Sequence, residues 1–108
     1  MSAIYYQQGE TIDYTATAAV KFGDVVSLTT RVGVAGNDIA AGGVGALHVT
    51  GVFVFPKNTD AAITLGAAVY WDATNAEITA TSTNNIAAGY AIEPAAQADT
   101  TVKVKLLG

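Results

Sequence analysis

The chain has 108 residues, of which 51% are apolar and only 13% charged, and its formal net charge is −4. That length fits a single domain with a radius of gyration of roughly 13 Å. The acidic balance, with its five cations Lys21, Arg31, Lys57, Lys103 and Lys105 scattered along the chain, lacks the clustered basic surface that phosphate binding requires. No cysteine is present, which excludes disulfides, thiolate metal sites and cysteine nucleophiles. A charged fraction about half the typical ~25% leaves much neutral surface, and such surface often marks contacts.

The opening MSAIYYQQGE has neither the basic region nor the apolar stretch of a signal peptide. No segment approaches the ~20 apolar residues of a spanning helix, so no membrane partner is expected. The expected setting is a cytoplasm, or something assembled there. Tyr5 and Tyr6, together with Tyr14, are hard to place inside a small core. Two readings stand for residues 1–9: an arm that docks on a neighbouring chain, or a first edge strand.

From residue 10 the pattern is β throughout. Thr11, Asp13 and Thr15 alternate with Ile12, Tyr14 and Ala16, and Val102, Val104 and Leu106 alternate with Lys103 and Lys105. Period two with Val, Ile, Thr and Tyr enrichment is the strand signal. Strands are predicted over 10–17, 24–30, 31–35, 44–55, 67–72, 76–81, 88–92 and 101–107, with glycines between them as turn residues. One short helical turn is expected near 58–63 or 94–98. Asp72 before Ala73-Thr74-Asn75 reads as a turn cap. The predicted core draws on Val25, Val52, Phe53 or Phe55, Val69, Ile78, Val102 and Val104.

A weak internal repeat runs through the chain. Phe22-Gly23-Asp24-Val25-Val26 and Val32-Gly33-Val34-Ala35 correspond to Leu65-Gly66-Ala67-Ala68-Val69 and Ala88-Gly89-Tyr90-Ala91. The second copy carries an extra hairpin over 70–83. Either the two halves are a true duplication, or two glycine-punctuated β sequences align by chance.

The residues offer little chemistry. His48 is the lone histidine and lies in an alternating strand. No Gly-x-Ser-x-Gly elbow is present. The acids follow no metal-ligand spacing, so no metal is expected. Gly42-Gly43-Val44-Gly45 lacks the Lys-Ser/Thr of a phosphate loop and precedes a strand. Neither catalysis nor a cofactor is expected. Tyr70 and Trp71 are adjacent in a strand, so they face opposite sides. Trp71 either plugs the core or stands exposed. An exposed Trp71 would anchor an interface or, with Tyr70 or Tyr90, stack on a sugar.

Several ordered segments carry a resemblance. They are Tyr6-Gln7-Gln8-Gly9 leading to Tyr14-Thr15-Ala16, Gly23-Asp24-Val25-Val26, Val32-Gly33-Val34-Ala35, Gly51-Val52-Phe53, Phe55-Pro56-Lys57, Val69-Tyr70-Trp71-Asp72 and Asp99 through Leu106. Taken in this order over nearly the whole chain, the set resembles the capsid cement, or head decoration, proteins of tailed phages. Members are often labelled recombinases, a label implying ATP binding for which this chain has no motif.

The combined expectation is an all-β chain: an N-terminal arm over 1–9 and a small β-barrel or β-sandwich over 10–108. The resemblance implies a non-enzymatic protein on the outer surface of a phage head, bridging major capsid subunits and associating as a homotrimer. The residues assigned to partner contacts are Tyr5, Tyr6, Gln7, Gln8, Ile12, Phe55, Lys57 and Trp71. A small carbohydrate-binding β-module is the alternative.

Overall fold

A computed structural model of the protein describes residues 2–107. Among them are nine strands and no helix. They are β1 (Thr11–Thr15), β2 (Val25–Ser27), β3 (Val32–Ala35), β4 (Val44–His48), β5 (Val52–Pro56), β6 (Ala68–Asp72), β7 (Glu77–Thr79), β8 (Ile86–Ala91) and β9 (Thr101–Leu106). Two antiparallel sheets result, ordered β1-β4-β3-β2 and β5-β9-β8-β6-β7. The all-β expectation holds. Strand β9 shows why: Val102, Val104 and Leu106 are buried, whereas Lys103 and Lys105 on the other face are exposed.

The predicted strand 44–55 is in fact two strands in different sheets. The chain breaks at Gly51, whose φ of 110° is a conformation that costs glycine little. The break carries the chain from β4 in the first sheet to β5 in the second. Beyond it, Phe53 and Phe55 share the inner face of β5. Val52 lies on the outer face and is 48% exposed, so it leaves the predicted core. Apolar residues occupy both faces of β5, so alternation alone could not choose the register. No helical turn forms over 58–63 or 94–98. Instead, Ile63 and Ala95 bridge those segments through a reciprocal pair of backbone hydrogen bonds at 2.9 and 2.8 Å.

The two sheets are copies of one motif. The Val20–Ile39 bridge in the first half corresponds to the Ile63–Ala95 bridge in the second. Gly23 N–H donates to Ala35 C=O, and Gly66 N–H donates to Ala91 C=O. Ala16 N–H donates to Gly43 C=O as Lys57 N–H donates to Thr100 C=O. Val49 N–H donates to Glu10 C=O as Leu106 N–H donates to Gly51 C=O. Strands β1, β2, β3 and β4 thus correspond to β5, β6, β8 and β9. The cores match as well: Val26, Leu47 and Val49 with Ile12, Tyr14, Val20 and Leu28 in one half, and Val69, Val104 and Leu106 with Phe53, Phe55, Ile63 and Trp71 in the other. Val32 and Val34 of β3 pack into the second half's core and join the halves. The repeat seen in the sequence is thus matched strand for strand in the structure.

Gly33 and Gly89 are equivalent in this repeat, opposite Val26 and Val69. A Cβ on Gly33 would stand 2.6 Å from Leu47 Cγ, and one on Gly89 would overlap the Lys105 carbonyl. Both strand crossings therefore require the absence of a side chain.

Among the described residues, strand β7 has no counterpart in the first half. Asp72 caps the turn that produces it, accepting hydrogen bonds from the amides of Thr74 (3.0 Å) and Asn75 (3.2 Å) and from Asn75 Nδ2 (2.8 Å). The Asn75 side-chain amide, followed by its backbone amide, holds the Asp72 carboxyl below its ordinary range. Strand β7 then pairs with β6 and reaches the end of β5, where Ile78 bridges Lys57 in parallel and accepts from Asn58 N–H at 2.9 Å. Ile78 is fully buried, in the same core as Phe55 and Trp71, whose rings meet edge-on at 6.0 Å. Beside this seam Lys57, 4% exposed, turns Nζ onto the carbonyls of Asn58 (2.7 Å), Gln97 (3.2 Å) and Asp99 (3.4 Å). The second half is thus curled toward closure.

Gly89→Ala is expected to destabilise the fold more than Gly33→Ala, because a backbone carbonyl yields less readily than the Leu47 side chain. The expected loss for Gly89→Ala is at least ~3 kcal/mol, the upper end of overpacking costs, as measured by urea unfolding. Lys57→Met keeps most of the apolar stem and removes the donor. The expected loss is about 1.5–3 kcal/mol, read as a lower denaturation midpoint with an unchanged m value.

Candidate functional site

The residues assigned to partner contacts fall into two places. Phe55, Lys57 and Trp71 come together, but inside the closure seam of the second half, where their side chains are buried. In this structure they present almost no surface. Tyr5, Tyr6, Gln7 and Gln8 lie in a segment without regular structure before β1, and all four are exposed. Ile4, Tyr5 and Tyr6 are 89%, 82% and 88% exposed. Gln7 Nε2 donates to the Thr11 carbonyl at 3.0 Å and ties the root of this segment to β1. Ile12 is half-buried on β1, opposite Leu47.

The sequence puts no charge between Ser2 and Gln8. Three large apolar side chains in water, with no charge beside them, gain free energy wherever they can be covered. Burying each is worth about 1.5–3 kcal/mol. The first sheet has the complementary defect. Its edge strands β1 and β2 flank Tyr14 and Leu28, which are only half-buried, whereas their counterparts Phe55 and Trp71 are covered by β7.

Other surface features escaped the sequence reading. Val52, Val54 and Tyr90 stand exposed on the outer face of the second sheet, beside Lys103 and Lys105. Phe22 and Leu65, at equivalent turns, are also exposed. Only the resolved register of β5 and the duplicated turns bring these residues out. A cavity of about 250 Å³ opens between the two halves, where the His48 and Phe53 rings lie 5.8 Å apart. Its lining, which includes Val34, Phe55 and Pro56, offers His48 no carboxylate or hydroxyl to form a catalytic pair. A more polar cleft near Asp99 and Thr101 contains the Lys103–Glu93 ion pair at 3.3 Å. That pair is solvent-exposed and worth at most about 1 kcal/mol.

Among the described residues, no three His, Asp or Glu side chains gather as a metal site. No helix is long and apolar enough to cross a membrane. A sugar platform would need exposed, coplanar aromatics. Trp71 is buried, Tyr70 is half-buried, and Tyr90 has Lys105 Nζ 5.9 Å from its ring centroid. The aromatic contacts among the described residues are His48 with Phe53 and Phe55 with Trp71, neither of which is such a pair.

No curated protein and no solved structure matches the chain. One family does: the phage cement protein family, over residues 6–106. That span runs from the aromatic segment through both copies of the motif to the end of β9. The chain therefore belongs to the phage cement protein family and, with it, to the structural components of the phage capsid.

Proposed function

We propose that this protein binds the outer surface of a phage head and ties neighbouring major capsid subunits together, without catalysis and without a cofactor. The observation that carries this reading is the uncharged segment with Ile4, Tyr5 and Tyr6 exposed, attached to a body stiffened by two sheets. Residues 1–9 act as the arm and residues 10–108 as the body. The arm supplies the contacts, with Tyr5, Tyr6, Gln7 and Gln8 meeting either the capsid or the next copy. Ile12 extends that surface onto β1.

The physical demands of cementing a lattice support this reading. A shell under internal pressure needs many equivalent ties, and each can be modest when geometry lets several engage together. Low charge keeps neighbouring copies from repelling one another at close packing. A homotrimer at three-fold or quasi-three-fold positions is the proposed assembly, with the major capsid protein as partner. Nucleic acid is not a partner in this account. Lys57 is buried in the seam, Lys103 faces Glu93, and the net charge is −4.

Deleting residues 2–8 tests the proposal on isolated heads. At dilutions where copies do not associate, the truncated body is expected to keep its melting temperature, because the removed side chains are exposed. Its affinity for heads is expected to fall at least ~100-fold, the equivalent of two lost apolar anchors. Decoration at full occupancy by the truncated protein would overturn the role of the arm.

A further inference from the structure

The duplicated motif contains its own template for what the first half lacks. In the second half, β7 lies against β6 and touches the end of β5, placing Ile78 in the core with Phe55 and Trp71. In the first half the equivalent strands β2 and β1 are both sheet edges, and the equivalent residues Leu28 and Tyr14 are half-buried. We propose that this open edge receives residues 3–7 of a second copy, with Ile4 taking the place that Ile78 holds in the second half. This deepens the reading above and rests on it only for the arm being an interaction element.

Three arguments point to this occupant. The first is pattern. Ile78 is flanked by Glu77 and Thr79, whose side chains are half-buried at the rim, and Ile4 is flanked by Ala3 and Tyr5, which would lie there. Neither the arm nor the facing stretches Ser27–Thr29 and Ala16–Ala18 carry a charged side chain, so no charge is desolvated on docking. The second is polarity. Strand β7 runs antiparallel to β6 and meets the end of β5 in parallel. Ile4–Glu10 is as long as Glu10–Ala16, so a chain's own arm reaches back to the end of its β1 only when fully extended and antiparallel to it. Only another copy's arm can enter with the direction of β7. The exposure of Ile4, Tyr5 and Tyr6 agrees, since none is folded onto its own body.

The third argument is area. A buried aromatic side chain covers about 150–250 Å², so Ile4, Tyr5 and Tyr6 together bring at most roughly 500 Å² to the seat. The surface they cover adds a similar amount, giving about 1,000 Å² per arm, and a stable interface buries about 1,600 Å². One arm contact alone is therefore a modest interface. A cyclic exchange, each copy giving one arm and receiving one, engages every copy in two such contacts, and their combined effect holds the assembly together. Such a head-to-tail contact closes into a ring when its rotation permits.

The natural chain has no cysteine, so introduced thiols report without background. In the β7 register, Tyr5 takes the position of Thr79 and would face Ser27 as Thr79 faces Tyr70. A mass-tagged Tyr5→Cys protein is mixed with an untagged Ser27→Cys protein under mild oxidation. In parallel it is mixed with Thr81→Cys, an exposed control on the second half. The expected result is a mixed disulfide that forms at least tenfold faster with Ser27→Cys than with Thr81→Cys, an advantage abolished by adding Ile4→Asp to the tagged chain. Equal rates with the two partners would overturn the seat. Rapid closure within a single chain of the double variant Tyr5→Cys/Ser27→Cys at high dilution would overturn the second copy. Loss of head binding on arm deletion without the mixed disulfide would sink this inference and leave the capsid-binding reading standing. The mixed disulfide with undiminished head binding after deletion would do the reverse.

Discussion

A β-sheet ends in two rows of unpaired backbone groups, which closure, a covering element or a short, charged or irregular edge must protect. The rest of this structure depends on how that constraint is met. In the second half β7 meets it: the strand pairs with β6, reaches the end of β5 and buries Ile78 completely. Lys57 completes the seam, its Nζ donating to the carbonyls of Asn58, Gln97 and Asp99. In the first half no strand does this among the described residues, and β1 and β2 remain edges. One motif, used twice, gives a closed support and an open one.

That asymmetry distinguishes the two halves. The closed half takes in Phe55, Lys57 and Trp71 and provides rigidity. The open half has a shallow core, and the segment before β1 leaves Ile4, Tyr5 and Tyr6 exposed. A capsid component needs both properties. In the proposed role, a stiff body would transmit load, and the uncovered edge and N-terminal segment would make contacts that form only when other chains are present. Ordering the N-terminal segment in a contact would cost conformational entropy, so the proposed docking requires its aromatics to be well covered.

Much of this was legible in the sequence, for definable reasons. Strict alternation in Thr11–Ala16 and Val102–Leu106 fixed strand faces, because the polar residues there include charges that cannot point inward. Asp72 before Thr74-Asn75 read correctly as a cap because its chemistry is local. The paired runs around Gly23 and Gly66, and around Gly33 and Gly89, revealed the duplication. The failures have equally specific causes. Val52–Phe55 is apolar on both faces, so its register is set by Val104 and Val102 across the sheet, which no local pattern encodes. Gly51 reads locally as a strand glycine, and only its φ of 110° makes it the break. Lys57 follows Pro56 at what reads as an exposed corner. Its burial depends on the carbonyls of Gln97 and Asp99, some forty residues further along the chain.

The central claim is that this chain is a structural part of the phage head, and stoichiometry on intact particles tests it most directly. Purified heads should carry the protein in a fixed, near-stoichiometric ratio to the major capsid subunit, and that ratio should persist through repeated density-gradient sedimentation. A ratio far below one copy per capsid subunit and declining with each gradient, or the protein recovered only away from heads, would contradict the account.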